Sequence, residues 1–242
     1  MDPTVAACQI EVADLAPETN VATVVDRLAA LDDRVDVAVF PEYALTGFVA
    51  DDRIEATALA LDGPVFDRLR AHAEETDTAM LVGCIEQRGD DYHNTLAYVT
   101  ADGDLTPYRK RNLWGSESEW LTPGEERVVV DTPAGPTGLL TCYDLNFVHE
   151  SAAFLDAGVD ALFVPGAWPA THAANWRLLA RARALDGVRW VVACGRTGRK
   201  DVADARVSEY AGRSLVVRPD GVVAGELAYE PDTLVRTLDT GV

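Results

Sequence analysis

Lysine is almost missing from this chain of 242 residues, in which only Lys110 and Lys200 occur among 21 basic residues and the other 19 are arginines. Acidic residues number 40, so the formal net charge at pH 7 is −19. A chain this acidic does not attract nucleic acid or an anionic membrane through its overall charge. We therefore expect neither a nucleic-acid partner nor a membrane partner.

Long hydrophobic runs and paired cysteines are also missing. No window approaches the roughly 18 apolar residues of a transmembrane helix, and residues 1–4 include neither a basic region nor an apolar stretch of secretory length, which predicts a cytoplasmic protein. Cys8, Cys84, Cys142 and Cys194 form no CxxC pair, and the four histidines lack the spacing of metal ligands. We expect no disulfide framework, no metal and no cofactor.

The acidic residues are scattered in short pairs such as Asp32-Asp33 and Glu125-Glu126. This distribution is typical of a solvated surface, whose self-repulsion reaches only roughly 3 Å in 1 M salt. We interpret it as the surface of a salt-adapted, halophilic protein. An acidic face for a basic partner protein is the alternative.

The order of short apolar runs and amphipathic stretches predicts one α/β domain over residues 1–242. Strands are predicted at 4–10, 35–40, 79–85, 96–99, 128–130, 138–141, 161–164, 190–194 and 214–217, and helices at 19–31, 64–75, 149–157 and 175–185. Asp-Gly pairs at 102–103 and 220–221 indicate hairpin turns and hence mixed sheets. Two sheets packed face to face with helices outside are favoured.

Two candidate catalytic residues directly follow apolar strands. Cys142 comes at a strand-to-helix turn, where backbone N–H groups and a helix N-terminus favour a thiolate and a developing oxyanion. Glu42 follows an apolar strand and a proline, and a carboxylate in an apolar setting suits a general base. A buried structural thiol and a turn-capping carboxylate are the alternative interpretations.

Lys110 is conspicuous because the chain has replaced lysine by arginine almost everywhere else. A compact ammonium approaches a single oxygen as a point charge and can exchange protons, unlike a guanidinium. A thiol, a carboxylate and an ammonium together supply the nucleophile, base and oxyanion stabiliser of acyl transfer. Lys200 lies in a polar stretch and is expected to be solvated.

Three segments resemble the signature motifs of the carbon–nitrogen hydrolase (nitrilase) superfamily. They are Phe-Pro-Glu and Thr-Gly-Phe within 40–48, Tyr-Arg-Lys at 108–110 and Cys-Tyr-Asp-Leu at 142–145. Tyr-His-Asn-Thr at 92–95, Thr-Pro-Gly at 122–124, Val-Pro-Gly-Ala-Trp-Pro at 164–169 and Ala-Arg-Ala at 182–184 also follow the family order. The resemblance therefore covers nearly the whole chain.

The resemblance implies a four-layer α-β-β-α sandwich that assembles as a homodimer or larger homo-oligomer. It also implies a Glu-Lys-Cys triad at Glu42, Lys110 and Cys142. A further carboxylate of the family matches Glu117, with Glu119 as the alternative.

Five residues are candidates for substrate binding. The backbone N–H of Tyr143 would help to hold the oxyanion, while Tyr43, Trp114 and Trp168 are candidate pocket walls, with ordinary aromatic packing as the alternative. Asn146 stands where the family often has an arginine that would bind a carboxylate, a role that Arg196 could take over.

Other departures from the family pattern are Val148, Asn175, Asp186 and Gly195, where the family often has Pro, His, Glu and Asn. They leave the triad intact, but they prevent assignment of a substrate by analogy.

The resemblance implies a thiol hydrolase that cleaves a small linear amide, as an omega-amidase does, through a cysteine thioester. Ammonia and a carboxylic acid would be released. A nitrilase and an N-carbamoyl amidohydrolase are alternatives, and a non-catalytic binding module of the same fold is a more remote one.

Overall fold

Two six-stranded sheets pack face to face, and helices cover the outer face of each. The computed structural model describes residues 2–239. The strands are β1 Thr4–Gln9, β2 Val37–Val39, β3 Ala79–Arg88, β4 Asp91–Val99, β5 Leu105–Arg109, β6 Val129–Thr132, β7 Gly135–Leu139, β8 Ala161–Gly166, β9 Trp190–Gly195, β10 Arg199–Lys200, β11 Ser208–Glu209, β12 Leu215–Val217, β13 Val223–Glu226 and β14 Asp232–Thr237. The helices are α1 Pro17–Ala29, α2 Ile54–Thr57, α3 Pro64–Thr76, α4 Glu117–Trp120, α5 Val148–Asp156 and α6 Ala173–Gly187, with 3₁₀ turns at Cys142–Asn146 and Ala170–His172.

Successive side chains of each central strand point to opposite faces of its sheet, so each strand contributes to two core layers. In β1, Ala6 and Cys8 pack under α1 and α3, whereas Val5 and Ala7 face the second sheet. This is the period of two that a strand buried on both faces requires. Strand β9 repeats the pattern, with Val192 in the core between the sheets and α6 packed over its other face. The predicted four-layer α-β-β-α architecture is confirmed.

The C-terminal ends of several strands lie at one edge of the molecule, because these strands run in the same direction. The first sheet has the order β14-β1-β2-β3-β4-β5, in which β1, β2 and β3 are parallel. Two antiparallel steps through β4 give β5 the same direction as β3. The second sheet, β13-β12-β9-β8-β7-β6, has parallel β7, β8 and β9. Ligands bind at such strand ends in α/β proteins.

All four predicted helices exist, with ends within two residues of the predicted ones. Both predicted hairpin turns are present, and their glycines Gly103 and Gly221 have φ of 83° and 76°. The strand predicted at 138–141 lies earlier, at Gly135–Leu139.

Sequence reasoning missed β5, β10, β11, β13 and β14, the first half of β4, and the short helices α2 and α4. Strand β5 contains Pro107, which weakens a strand pattern and is tolerated at a sheet edge, where β5 lies. Strand β14 is mostly polar, and only its antiparallel pairing with β1 reveals it. Within residues 2–239, no helix is both long enough and apolar enough to cross a membrane.

Candidate active site

Glu42, Lys110 and Cys142 come together at the edge where the strands β2, β5 and β7 end. Lys110 directly follows β5, while Glu42 and Cys142 come three residues after the ends of β2 and β7. The turn that contains Glu42 lies directly on β3 at Gly83, where a Cβ atom would stand 2.6 Å from the Tyr43 nitrogen. Only glycine therefore allows this close approach of the two backbones.

Lys110 lies between two carboxylates in a site closed to solvent. Its Nζ is 2.9 Å from Glu42 Oε1, and 3.0 and 2.9 Å from the two carboxylate oxygens of Glu117. The exposed fractions of Glu42, Lys110 and Glu117 are 1%, 1% and 4%. Burial alone would lower the pKa of Lys110, but the charges of Glu117 and Glu42 raise it well above its ordinary value. The two carboxylates therefore favour the charged ammonium.

Glu42 is buried, but its surroundings are not apolar as predicted. Besides Lys110, the side-chain amide of Asn94 donates to Glu42 Oε1 at 2.7 Å, and the backbone N–H of Ala167 donates to Oε2 at 2.7 Å. Ala167 directly follows β8. The second sheet thus fixes a carboxylate that belongs to the first sheet.

Glu117 is the second carboxylate of the site, and Glu119 is exposed outside it. Glu117 begins the four-residue helix α4, and its Oε2 accepts the backbone N–H of Trp114 at 2.7 Å. The hydroxyl of Tyr43 donates to Oε1 of Glu117. These contacts hold Glu117 against the Lys110 ammonium.

Cys142 begins the 3₁₀ turn with a left-handed φ of 48°. Asp144 fixes this turn, because its Oδ2 accepts the Thr141 backbone N–H at 2.9 Å and the Tyr108 hydroxyl at 2.7 Å. Asn112 donates to the other carboxylate oxygen from its backbone and its side chain. The thiol is thereby presented at a sharp bend between β7 and α5.

The surroundings of Cys142 favour its neutral thiol over the thiolate. Burial and then the negative charge of Glu42 raise its pKa well above the ordinary value, and the opposing effect of Lys110 is smaller. The expected thiolate at a helix N-terminus is therefore not what the site favours. Attack by this sulfur requires a base to remove its proton.

Cys142 forms part of the wall of a pocket of about 190 Å³. The other lining residues are Trp114, Tyr143, Asn146, Ala167, Trp168, Pro169, His172 and Asn175. A larger cleft of about 400 Å³ lies between Arg88, Pro107 and Glu126 and includes none of the three triad residues. We take the smaller pocket as the candidate substrate site because Cys142, the predicted nucleophile, lines it.

Four of the five predicted substrate-binding residues line this pocket, namely Trp114, Tyr143, Asn146 and Trp168. Tyr43 does not, and its predicted role as a pocket wall needs correction. It is buried, its ring stacks on Phe48 with centroids 5.0 Å apart, and its hydroxyl reaches Glu117. Tyr43 is placed to position a carboxylate.

Two basic side chains have surroundings that differ from those predicted. Arg196 is buried and paired with Asp14 at 2.6 Å, with its guanidinium over the ring of Tyr210, so it is not available to bind a substrate carboxylate. Lys200 was predicted to be solvated, yet it is 9% exposed, and its Nζ donates to the Phe48 carbonyl at 3.3 Å. Burial lowers the pKa of Lys200.

Sequence reasoning singled out neither Asn94 nor Asp144 as a site residue, although both lie inside segments that follow the family order. Their hydrogen bonds to residues far away in sequence define their positions in the site. In the described part of the chain, no three His, Cys, Asp or Glu side chains are grouped as a metal site would require.

A buried thiol beside a carboxylate and an ammonium, at the edge of a four-layer sandwich, is an arrangement suited to hydrolysis by covalent catalysis. The family model for carbon-nitrogen hydrolase matches residues 4–242. This chain belongs to the carbon-nitrogen hydrolase family, within the nitrilase superfamily.

Individual relatives agree with this assignment. The chain is 29% identical over 220 residues to an (R)-stereoselective amidase of a Pseudomonas species, a match that covers 91% of this chain and 79% of the relative. It is 31% identical over 213 residues to omega-amidase NIT2-B of Xenopus laevis, covering 83% and 70%. The crystal structure of XC1258 from Xanthomonas campestris, a CN-hydrolase superfamily protein, superposes with a TM-score of 0.90 at 25% identity, covering 100% and 92%.

Proposed function

We propose that the protein hydrolyses the C–N bond of a small linear amide through a thioester on Cys142. The observation that supports this most directly is a buried thiol that lines a pocket and stands beside a buried carboxylate–ammonium pair. The amidase names of the Pseudomonas and Xenopus relatives favour an amide over a nitrile or an N-carbamoyl substrate. Whether an omega-amide is preferred depends on the charge that the pocket accepts.

In the acylation step, Glu42 takes the thiol proton as Cys142 Sγ attacks the amide carbonyl carbon. The carbonyl oxygen becomes an oxyanion, held by the Lys110 ammonium and the backbone N–H of Tyr143, which lies in the first turn of the 3₁₀ segment. Glu42 then passes the proton to the amide nitrogen, the C–N bond breaks and ammonia leaves. A thioester between the acyl group and Cys142 remains.

In the deacylation step, Glu42 removes a proton from a water molecule, whose oxygen attacks the thioester carbon. The C–S bond breaks, the proton returns to sulfur, and the carboxylic acid leaves. Glu117 takes no proton in this scheme. Its two oxygens hold the Lys110 ammonium where both oxyanions form.

Mass spectrometry of the cysteine-containing peptides tests the proposal. We expect an acyl adduct on Cys142 after an acid quench of the protein with a reactive amide, together with release of ammonia. Cys8, Cys84 and Cys194 are completely buried and serve as internal controls, because they should remain unmodified. If no amide in a panel of short-chain amides modifies Cys142, or if only nitriles do, amide hydrolysis is contradicted.

We also propose that the protein forms a homodimer through its outer helices α5 and α6. Val148 and Leu155 on α5 are 61% and 52% exposed, and Leu178 and Leu185 on α6 are 63% and 59% exposed. Each pair is seven residues apart and therefore lies on one helix face. Two neighbouring helices with exposed apolar faces are suited to self-association.

Light scattering coupled to size-exclusion chromatography should give a dimer mass, and Leu178→Glu should shift it to that of a monomer. Ala71→Glu provides a control, since Ala71 is exposed on α3, which covers the outer face of the other sheet. A monomer in the unmodified protein, or a dimer that survives Leu178→Glu, would count against this interface.

A further inference from the structure

The substrate pocket has no basic side chain of the kind that recognises a carboxylate. Among the described residues that line it there is neither an arginine nor a lysine. Lys110 behind it is occupied by Glu42 and Glu117, and Arg196 is occupied by Asp14. His172 is exposed, where solvent screens it. An anionic acyl group would therefore enter this pocket without a fixed counter-charge.

The charged groups next to the nucleophile also oppose an anion. Glu42 and Glu117 together bring two negative charges, and Lys110 supplies one positive charge. Cys142 adds no positive charge, so two carboxylates and a single ammonium lie beside the thiol. A substrate carboxylate near this group would lose hydration and meet like charge.

The walls of the pocket suit an uncharged group. Trp114 and Trp168 supply aromatic surface, Ala167 and Pro169 are small and apolar, and the amides of Asn146 and Asn175 are neutral hydrogen-bonding groups. The volume of about 190 Å³ is below the ~300–1,000 Å³ of pockets for drug-sized ligands. The space and its polarity match a short acyl chain.

We infer that the acyl part of the substrate is small and uncharged, so that the monoamide of a dicarboxylic acid is disfavoured. This inference rests on the proposed amide hydrolysis and narrows its substrate class. It differs from the omega-amide expected from the sequence, because an omega-amide of a dicarboxylic acid has a second, ionised carboxyl group at pH 7.

Succinamide and succinamate form a nearly isosteric pair that tests the inference, since they differ in charge at the end remote from the attacked amide. After correction for the two equivalent amides of succinamide, we expect its kcat/KM to exceed that of succinamate by at least about tenfold, because the carboxylate loses hydration without gaining a partner. Equal values, or a preference for succinamate, would overturn the inference.

A measurement at high salt distinguishes an effect of the pocket on substrate preference from an effect of the protein's overall charge of −19. Repulsion of succinamate by the whole protein would vanish in 1 M salt, where the Debye length is about 3 Å. The preference for succinamide should persist there, because desolvation inside the pocket is not screened. A preference that disappears in 1 M salt would show that surface charge causes it, and the inference would be wrong.

Asn146→Arg provides a second measurement. Asn146 is exposed at the pocket, and its side chain makes one hydrogen bond, to the Tyr143 carbonyl at 3.3 Å. The new guanidinium should narrow the ratio between the two substrates by at least about tenfold, while the neutral Asn146→Gln should keep it. If the ratio of kcat/KM for succinamide to kcat/KM for succinamate is the same in Asn146→Arg and Asn146→Gln, the inference is contradicted.

Failure of the proposed function would look different. In that case neither succinamide nor any other amide would release ammonia or acylate Cys142. If succinamate is hydrolysed as well as succinamide, only the inference about acyl charge is wrong and the proposed amide hydrolysis stands.

Discussion

Replacing Glu42 by glutamine should lower kcat by about 10²–10⁴-fold, the usual contribution of a positioned general base. The pKa of the Cys142 thiol is raised, so the sulfur keeps its proton unless a base removes it. A glutamine amide has nearly the size of the carboxylate but cannot accept that proton. Steady-state ammonia release with a neutral amide measures the loss.

A second measurement separates a base from a merely structural group. Glu42 is one of the charges that raise the pKa of Cys142, so Glu42→Gln should shift alkylation of Cys142 by iodoacetamide to lower pH. Glu119→Gln is a matched control, because Glu119 is exposed outside the site and its replacement should leave both measurements unchanged. Near-normal turnover in Glu42→Gln would exclude Glu42 as the base.

Replacing Lys110 by arginine should lower kcat by about 10²–10³-fold, the usual cost of losing one oxyanion donor. The charge is kept, but a planar guanidinium cannot occupy the position of an ammonium that lies within 3.0 Å of three carboxylate oxygens. Lys110 is only 1% exposed, so the larger guanidinium group must displace the neighbouring side chains. The geometry at the oxyanion is therefore lost.

Lys200→Arg is a matched control for this substitution. Lys200 is the other lysine of the chain and is also buried, but its Nζ contacts the Phe48 carbonyl instead of the triad. Thermal unfolding of both variants shows whether each is folded at the assay temperature. Comparable activity in folded Lys110→Arg and folded Lys200→Arg would mean that Lys110 does not stabilise the oxyanion.

The three triad residues could be found from the sequence because each belongs to a short motif near the end of a strand. Their meeting in one site was implied by the resemblance to the carbon–nitrogen hydrolase superfamily and not by local patterns, because the strand that ends before Lys110, β5, was itself missed. The four helices were equally predictable, since their apolar periodicity is local.

Other parts of the site depend on distant contacts that no local pattern contains. Tyr43 was interpreted as a pocket wall because aromatic residues often line pockets, but its hydroxyl bonds to Glu117, 74 residues away. Asp144 is held by Tyr108 from the other sheet. Lys200 lies in a polar stretch, yet its Nζ lies against the backbone of Phe48. Only the tertiary structure determines these neighbours.

The left-handed backbone at Tyr43 and Cys142, with φ of 60° and 48°, has a consequence for protein engineering. An L-residue in this conformation costs about 1–2 kcal/mol relative to its preferred backbone, and glycine would avoid that cost. At Tyr43 the loss of a buried ring stacked on Phe48 would outweigh that gain. At Cys142 the side chain is small, so glycine would relieve the backbone while removing the proposed nucleophile, and a stability screen of this enzyme should exclude position 142.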